Sequence, residues 1–210
     1  MATPLSAGEI AKKIQRIDPS FKSVIKKAGH PPVRRSAPVA KRFPALASSI
    51  TSQLLATSAA ETIHARVVSV CKGTINEKSI IKAGAEKLKS AGLNRTKAEA
   101  MVQLAEMSID RSIQLDRHGR MSNEAIEHEI TAVKGIGPWT VQMYLMHTLA
   151  RHDVWPVGDY GVRMGWSILH DMDEIISEKE LRIAGEPLTG LRSSVAWYCW
   201  QAVHFFRLEK

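Results

Sequence analysis

The chain has 210 residues, with 44% apolar and 24% charged side chains and a formal net charge of +8. That balance fits a globular chain long enough to bury one full core. There is no run of eighteen apolar residues and no apolar signal-like N-terminus, so a membrane partner is excluded and an intracellular protein is expected, in a bacterial cytoplasm at the nucleoid or in a nucleus. Two cysteines, Cys71 and Cys199, argue against a disulfide scaffold or a cysteine-ligated cluster.

Taken in chain order, helical spacing predicts helices over 6–17, 19–27, 43–54, 58–72, 77–90, 94–108 and 109–115. A pair at 122–133 and 138–150 follows, then 160–169, 177–188 and 192–207. Gly29-His30-Pro31-Pro32, Gly73, Gly92 and His118-Gly119 punctuate them. No period-two alternation is present, so the fold class is all-α. The best linker is Pro31 to Pro38. Residues 1–42 carry ten basic side chains against Glu9 and Asp18, whereas 43–210 hold nineteen of each sign. We therefore divide the chain into a basic N-terminal helical segment, 1–42, packing on a core of 43–210. The basic block reads either as a set of DNA phosphate contacts or as a solvated surface.

Val133-Lys134-Gly135-Ile136-Gly137-Pro138-Trp139-Thr140 joins the paired helices. Ser122 or Asn123 caps the first, with Glu124 near the positive end of its dipole. Gly135 and Gly137 allow backbone angles barred to other residues, and Pro138 suits the first position of the second helix. The result is a helix N-terminus facing outward past glycines, which attracts an anion such as a phosphate. An ordinary αα-hairpin with a glycine turn is the plainer alternative. Downstream, Trp155-Pro156-Val157-Gly158-Asp159-Tyr160-Gly161 places one carboxylate where it either caps the next helix or meets a substrate. Asp153 is its rival, at a position where a turn or cap is enough. Eight histidines show no ligand spacing, so no catalytic metal is expected.

With these residues in view, the chain resembles the helix-hairpin-helix DNA glycosylases that carry a Gly/Pro-rich loop and an aspartate, in their alkylbase (3-methyladenine) branch. Ordered matches include Ile17-Asp18-Pro19-Ser20-Phe21, Phe43-Pro44-Ala45-Leu46, Ile50-Thr51-Ser52-Gln53-Leu54 and Ala59-Ala60-Glu61-Thr62-Ile63. Gly92-Leu93-Asn94-Arg95-Thr96-Lys97, the hairpin, the aspartate and Arg192-Ser193-Ser194-Val195-Ala196-Trp197-Tyr198-Cys199-Trp200 complete the series. The resemblance implies a two-lobed helical bundle, with a middle lobe and one completed from both ends, and an active site in the cleft. It implies a monomer acting on double-stranded DNA that carries alkylated bases. Some relatives hold an iron–sulfur cluster on four cysteines; this chain lacks them.

The same resemblance makes Asp159 the catalytic carboxylate, supporting positive charge on the deoxyribose as the base leaves. Gly135, Ile136, Gly137, Lys134 and Thr140 become DNA contacts at the hairpin. Gln53 and Leu54 fall in the segment that supplies the intercalating wedge, although this chain reads Ser52-Gln53-Leu54-Leu55-Ala56 where Gly-Gln-Gln-Ile-Ser is common. The backbone carbonyls of Val133 and Ile136 are placed to hold a structural Na+ or K+; no other cofactor is implied. Relatives that also cut the DNA backbone have a Schiff-base lysine where Trp139 stands here, so a monofunctional enzyme is expected. Trp139, Tyr160 and Trp197 are the candidates for the base pocket. Core packing is the alternative for Trp139, and it is favoured over pocket for Trp155, Tyr160, Trp197, Tyr198 and Trp200. Two other functions stay open: the same fold acting on deaminated, etheno or oxidised bases, and a protein that binds damaged DNA without cutting.

Overall fold

The computed structural model describes residues 5–55 and 57–206. Among them there are helices and turns but no strand, as the absence of alternation predicts. The chain forms two compact units. One joins Met1–Arg34 to Arg151–Lys210, and the other is Arg35–Ala150. Helices α1 (Ala7–Ile17), α2 (Lys22–Ala28), α9 (Tyr160–Leu169), α10 (Glu178–Ala184) and α11 (Arg192–Phe206) belong to the first. The second contains α3 (Val39–Ser52), α4 (Thr57–Val70), α5 (Glu77–Ser90), α6 (Arg95–Ile109), α7 (Asn123–Thr131) and α8 (Pro138–His147). Of the basic segment 1–42, residues up to 34 thus lie in one unit and 35–42 in the other.

Short polar side chains set many helix starts. Ser6, Asn76, Asn94, Ser122, Asp159 and Ser177 each accept a first-turn N–H of the helix they precede. In the first unit α9 and α11 touch backbone to backbone. A Cβ built on Gly165 would lie 1.9 Å from the Cys199 carbonyl oxygen, so only glycine fits there. Phe21 and Trp166 pack edge to face beside this contact, and Tyr198 donates its hydroxyl to the Gly29 carbonyl at 2.9 Å. In the second unit α3 buries Phe43, Leu46, Ala47 and Ile50 and packs against α4, α6 and α8.

Several boundaries differ from expectation for identifiable reasons. Helix α3 starts at Val39 and carries Pro44 within it, because one missing N–H costs less than the stripe around Phe43 contributes. The helix expected over 109–115 is absent: Ile109 ends α6, and Asp110 accepts the Ser112 N–H at 2.8 Å. Arg111 follows in a left-handed conformation, φ 67°, which a helix does not continue. Helix α8 stops at His147, and Ala150 is left-handed. The expected helix over 177–188 ends at Ala184, ahead of a 3-10 turn over Glu186–Leu188 with Pro187 near its start. A similar turn, Pro19–Phe21, precedes α2. Arg207, assigned to the last helix, lies outside the described residues, as does Ala56.

Arg42 also departs from its expected place in the basic surface block. It is buried, and its guanidinium donates to the Leu115 carbonyl, pinning the irregular 110–121 segment. The other nine basic side chains of residues 1–42 are exposed.

Candidate DNA-binding hairpin and catalytic carboxylate

The hairpin lies wholly within the second unit. Between α7 and α8, the Ile136 N–H returns to the Val133 carbonyl at 3.1 Å, closing the turn. The two glycines do different things. Gly135 has φ 93°, and a Cβ there would come within 2.9 Å of Thr96 on α6, so both conformation and packing demand glycine. Gly137 has φ −101° and ψ 175°, extended values open to any residue, and space lies around the missing Cβ. Gly137 caps α8 without a side chain, and Pro138 follows, leaving the positive end of the helix uncovered by any capping group.

Gln53, the residue capping the C-terminus of α3, is tied into this turn. Its side-chain amide donates to the Thr140 hydroxyl at 2.8 Å and to the Gly135 carbonyl at 3.2 Å. Thr140 is 1% exposed, so its hydroxyl makes a tie inside the protein. Ile136 and Val133 are likewise buried. Lys134 stays exposed; its N–H donates to Gln103, and its side chain borders a groove of about 380 Å³ lined also by Arg95, Thr96 and Glu99. Immediately after Gln53, Leu54 adopts φ 54° and is fully exposed at 104%. A large apolar residue held outward in a left-handed conformation is uncommon and points to use. Trp139 sits in the first turn of α8, half-buried.

Asp159 stands in the first unit at the start of α9. Its Oδ1 accepts the Val162 N–H at 2.8 Å and the Trp200 indole N–H at 3.0 Å. The expected helix cap is present, and the Trp200 bond holds the same carboxylate oxygen from a second direction. Trp200, favoured as core by the sequence, is half-buried and joined to the carboxylate. Gly161 makes the approach possible, since a Cβ there would be 3.0 Å from the Trp200 ring and 3.2 Å from Asp159 Oδ1. Tyr160 is 57% exposed, against the core preference. Trp197 is half-buried on α11 against Tyr198, while Trp155 is buried and donates to the Leu181 carbonyl. Burial, with the nearby Asp18 and Asp159 carboxylates, pushes the Cys199 thiol well up, so it stays protonated.

The rival carboxylate is committed elsewhere. Asp153 accepts a two-pronged pair from Arg192 at 2.6 Å in each arm, and Ser193 bonds the Arg151 carbonyl and the Val154 N–H. This clamp fixes the segment that leads to Asp159. Among the described residues no group of three or more His, Cys, Asp or Glu could hold a metal ion. Among the described residues no helix is long and apolar enough to cross a membrane.

A glycine-turned hairpin and a helix-capping aspartate held by an indole define a DNA-repair class of helical protein. Residues 47–189 match the HhH-GPD superfamily base excision DNA repair protein family, and the chain belongs to it. It is 28% identical over 204 residues to DNA-3-methyladenine glycosylase 1 of Schizosaccharomyces pombe, covering 96% of this chain and 89% of that protein. It is 36% identical to the DNA-3-methyladenine glycosylase of Saccharomyces cerevisiae, over 66% of this chain and 50% of that one. Among solved structures, the S. pombe 3-methyladenine DNA glycosylase in complex with abasic DNA superposes with a TM-score of 0.86 at 28% identity. That match covers 93% of this chain and 97% of the other. The Archaeoglobus fulgidus 3-methyladenine DNA glycosylase does so with 0.81 at 26% identity, over 97% and 71%.

Proposed function

We propose that this chain is a monofunctional DNA-3-methyladenine-type glycosylase, which extrudes an alkylated purine from duplex DNA and hydrolyses its N-glycosidic bond. The observation that carries the proposal is the Asp159 carboxylate, oriented by the Val162 N–H and the Trp200 indole. As the base leaves, positive charge grows on the sugar ring; a fixed carboxylate stabilises it and orients or deprotonates the incoming water. An alkylated purine is already cationic and leaves readily, so one carboxylate suffices. With Trp139 where a lyase would place its amine, no imine forms, and the abasic site is left intact.

The other roles follow from each residue's place. The N-terminus of α8, with Gly135, Ile136 and Gly137, holds a phosphate, and Lys134 adds charge beside it. Leu54, exposed where Gln53 is tied down, enters the space vacated by the base. Tyr160, Trp197 and Trp200 offer aromatic faces in the unit that carries Asp159, and Trp139 offers another on α8; a cationic base gains from such faces. The Val133 and Ile136 carbonyls would hold a monovalent cation, which would stiffen the turn. The Val133 carbonyl accepts one bond within the turn, and an oxygen has two lone pairs, so the two uses are compatible.

The test is chromatographic. Purified protein incubated with methylated duplex DNA should release free 3-methyladenine or 7-methylguanine and leave the strand uncut, while Asp159→Asn releases neither. Binding to an abasic-site duplex without release of any base would sink the proposal in favour of a binding-only protein.

A further inference from the structure

A helix end exposes last-turn carbonyls that lack helical partners, and α3 ends at Ser52 with Gln53 as its cap. Here the partner is a lysine far along the chain. Lys97, in the first turn of α6, is 7% exposed, and its ammonium donates to the Thr51 carbonyl at 2.9 Å and the Gln53 carbonyl at 2.6 Å. No carboxylate pairs with it among the described residues, so the negative end of the α3 dipole and these carbonyls are what compensate its buried charge. Burial holds its basicity below that of a free lysine. A surface lysine would have served the helix end equally well; a buried ammonium does more, because it fixes the direction of the Gln53 carbonyl.

That carbonyl belongs to the peptide unit that precedes Leu54. Gln53 is thus held twice, by its backbone through Lys97 and by its side chain through Thr140 and Gly135. Leu54 itself has an unfavourable left-handed φ and an entirely exposed side chain, so nothing it buries keeps it there. The Leu55 N–H closes this turn onto the Ser52 carbonyl at 3.2 Å, so the conformation is set by the backbone on both sides of Leu54, and the Gln53 peptide is the half of the turn that Lys97 holds.

We propose that Lys97 is a positioning residue for base extrusion: its ammonium locks the Gln53 peptide and so presents Leu54 outward, ready for insertion into the DNA stack. The inference rests on the reading of Leu54 as the wedge, and deepens it. Lys97 touches neither base nor sugar and acts only through Leu54.

A double-mutant cycle with Lys97→Met and Leu54→Ala tests this. The probe is a duplex carrying 2-aminopurine beside an abasic-site analogue, whose fluorescence rises when the neighbouring stack is opened. Single-turnover excision from methylated DNA is followed in parallel, with thermal melting and affinity for undamaged duplex as controls. Each single variant should lose fluorescence amplitude and slow excision by on the order of tenfold, Lys97→Met through loss of a charged hydrogen bond and Leu54→Ala through loss of the apolar wedge. The double variant should be no worse than Leu54→Ala alone in both readouts. Additive losses, or a Lys97→Met protein with full amplitude, would overturn the role of Lys97. A Leu54→Ala protein indistinguishable from wild type would instead overturn the wedge reading beneath it. Should Lys97→Met not fold, Lys97→Arg keeps charge and donors but displaces them, and the same cycle is read with it.

Discussion

Asparagine caps a helix about as well as aspartate does, since its side-chain oxygen accepts the same backbone N–H. Asp159→Asn therefore keeps an oxygen for the Val162 N–H while removing the charge and turning the other carboxylate oxygen into an NH2 donor. Unfolding free energy should change by less than about 0.5 kcal/mol, in urea melts, while excision falls to background. A variant that loses both together would mean the carboxylate matters to the fold and not to the reaction. Trp200→Phe is the complementary probe. It keeps a ring beside Gly161 but deletes the indole donor to Asp159 Oδ1 at 3.0 Å. A charge-assisted bond of this kind contributes roughly 2 kcal/mol, so single-turnover excision should slow by about tenfold or more. Affinity for an abasic-site duplex should hold. If excision is unchanged, the Trp200 bond is not what orients the carboxylate.

At the level of whole elements, glycines separate packing from function. Gly165→Ala must push α9 off α11, because its Cβ has no room beside the Cys199 carbonyl, and it should cost on the order of 3 kcal/mol or prevent folding. Gly137→Ala meets open space at ordinary angles, so it should cost only what a poorer helix cap costs, about 0.5–1 kcal/mol. Its methyl group would nonetheless stand at the mouth of the α8 N-terminus, and duplex affinity should drop severalfold. Unaltered affinity would exclude phosphate binding at that helix end. Much of this architecture was legible in the residues themselves. Caps such as Ser6, Asn94 and Ser122, the breakers at Gly73 and Gly92, and the hairpin sequence are local signals, and helix starts follow them closely. What stayed hidden depends on partners distant in sequence. The Trp200 bond spans 41 residues to Asp159, and Lys97 reaches 46 residues back to Thr51. Nothing local distinguishes Lys97 from a surface lysine, or Gly135 as the glycine that α6 requires. Likewise the expected helix begins at Phe43, and the observed start further back, at Val39, goes with the burial of Arg42 and Phe43 against distant partners.

The whole molecule answers to pH and salt through charges that no single element owns. His170 Nε2 bonds Asp18 Oδ2 at 2.9 Å, joining the start of the chain to the end of α9, with His170 stacked on Trp166. Burial alone would push Asp18 up and His170 down; their mutual bond, with the Ser20 N–H and the Trp166 carbonyl, outweighs it. Asp18 ends below its ordinary 3.8 and His170 above its ordinary 6.5. The carboxylate's share of stability is present above 3.8 and lost as pH falls through its lowered value, while the imidazole's is full below 6.5 and lost as pH rises through its raised one. The stability difference between wild type and His170→Gln should therefore peak between those two ordinary values and shrink on either side, as urea melts across pH would register. A difference that does not vary with pH would show that ring stacking alone, not the ion pair, is what the variant removes.

Salt dependence turns on where the net charge sits. Residues 1–42 carry the equivalent of all the +8, and nine of their ten cations are exposed. If these meet phosphates, each contact releases counterions and steepens the fall of affinity with salt by about 0.9 in the log–log slope. Neutralising Lys26, Lys27, Arg34 and Arg35 together should then weaken duplex binding at low salt and flatten that slope, equally for damaged and undamaged DNA, because phosphate contacts read no sequence. Excision at saturating protein should be untouched. Arg42 is the internal control: buried against the Leu115 carbonyl, its replacement by Gln should lower stability and leave the slope alone. An unchanged slope in the quadruple variant would return the block to solvated surface, and leave the hairpin end of α8 with Lys134 as the principal electrostatic hold on DNA.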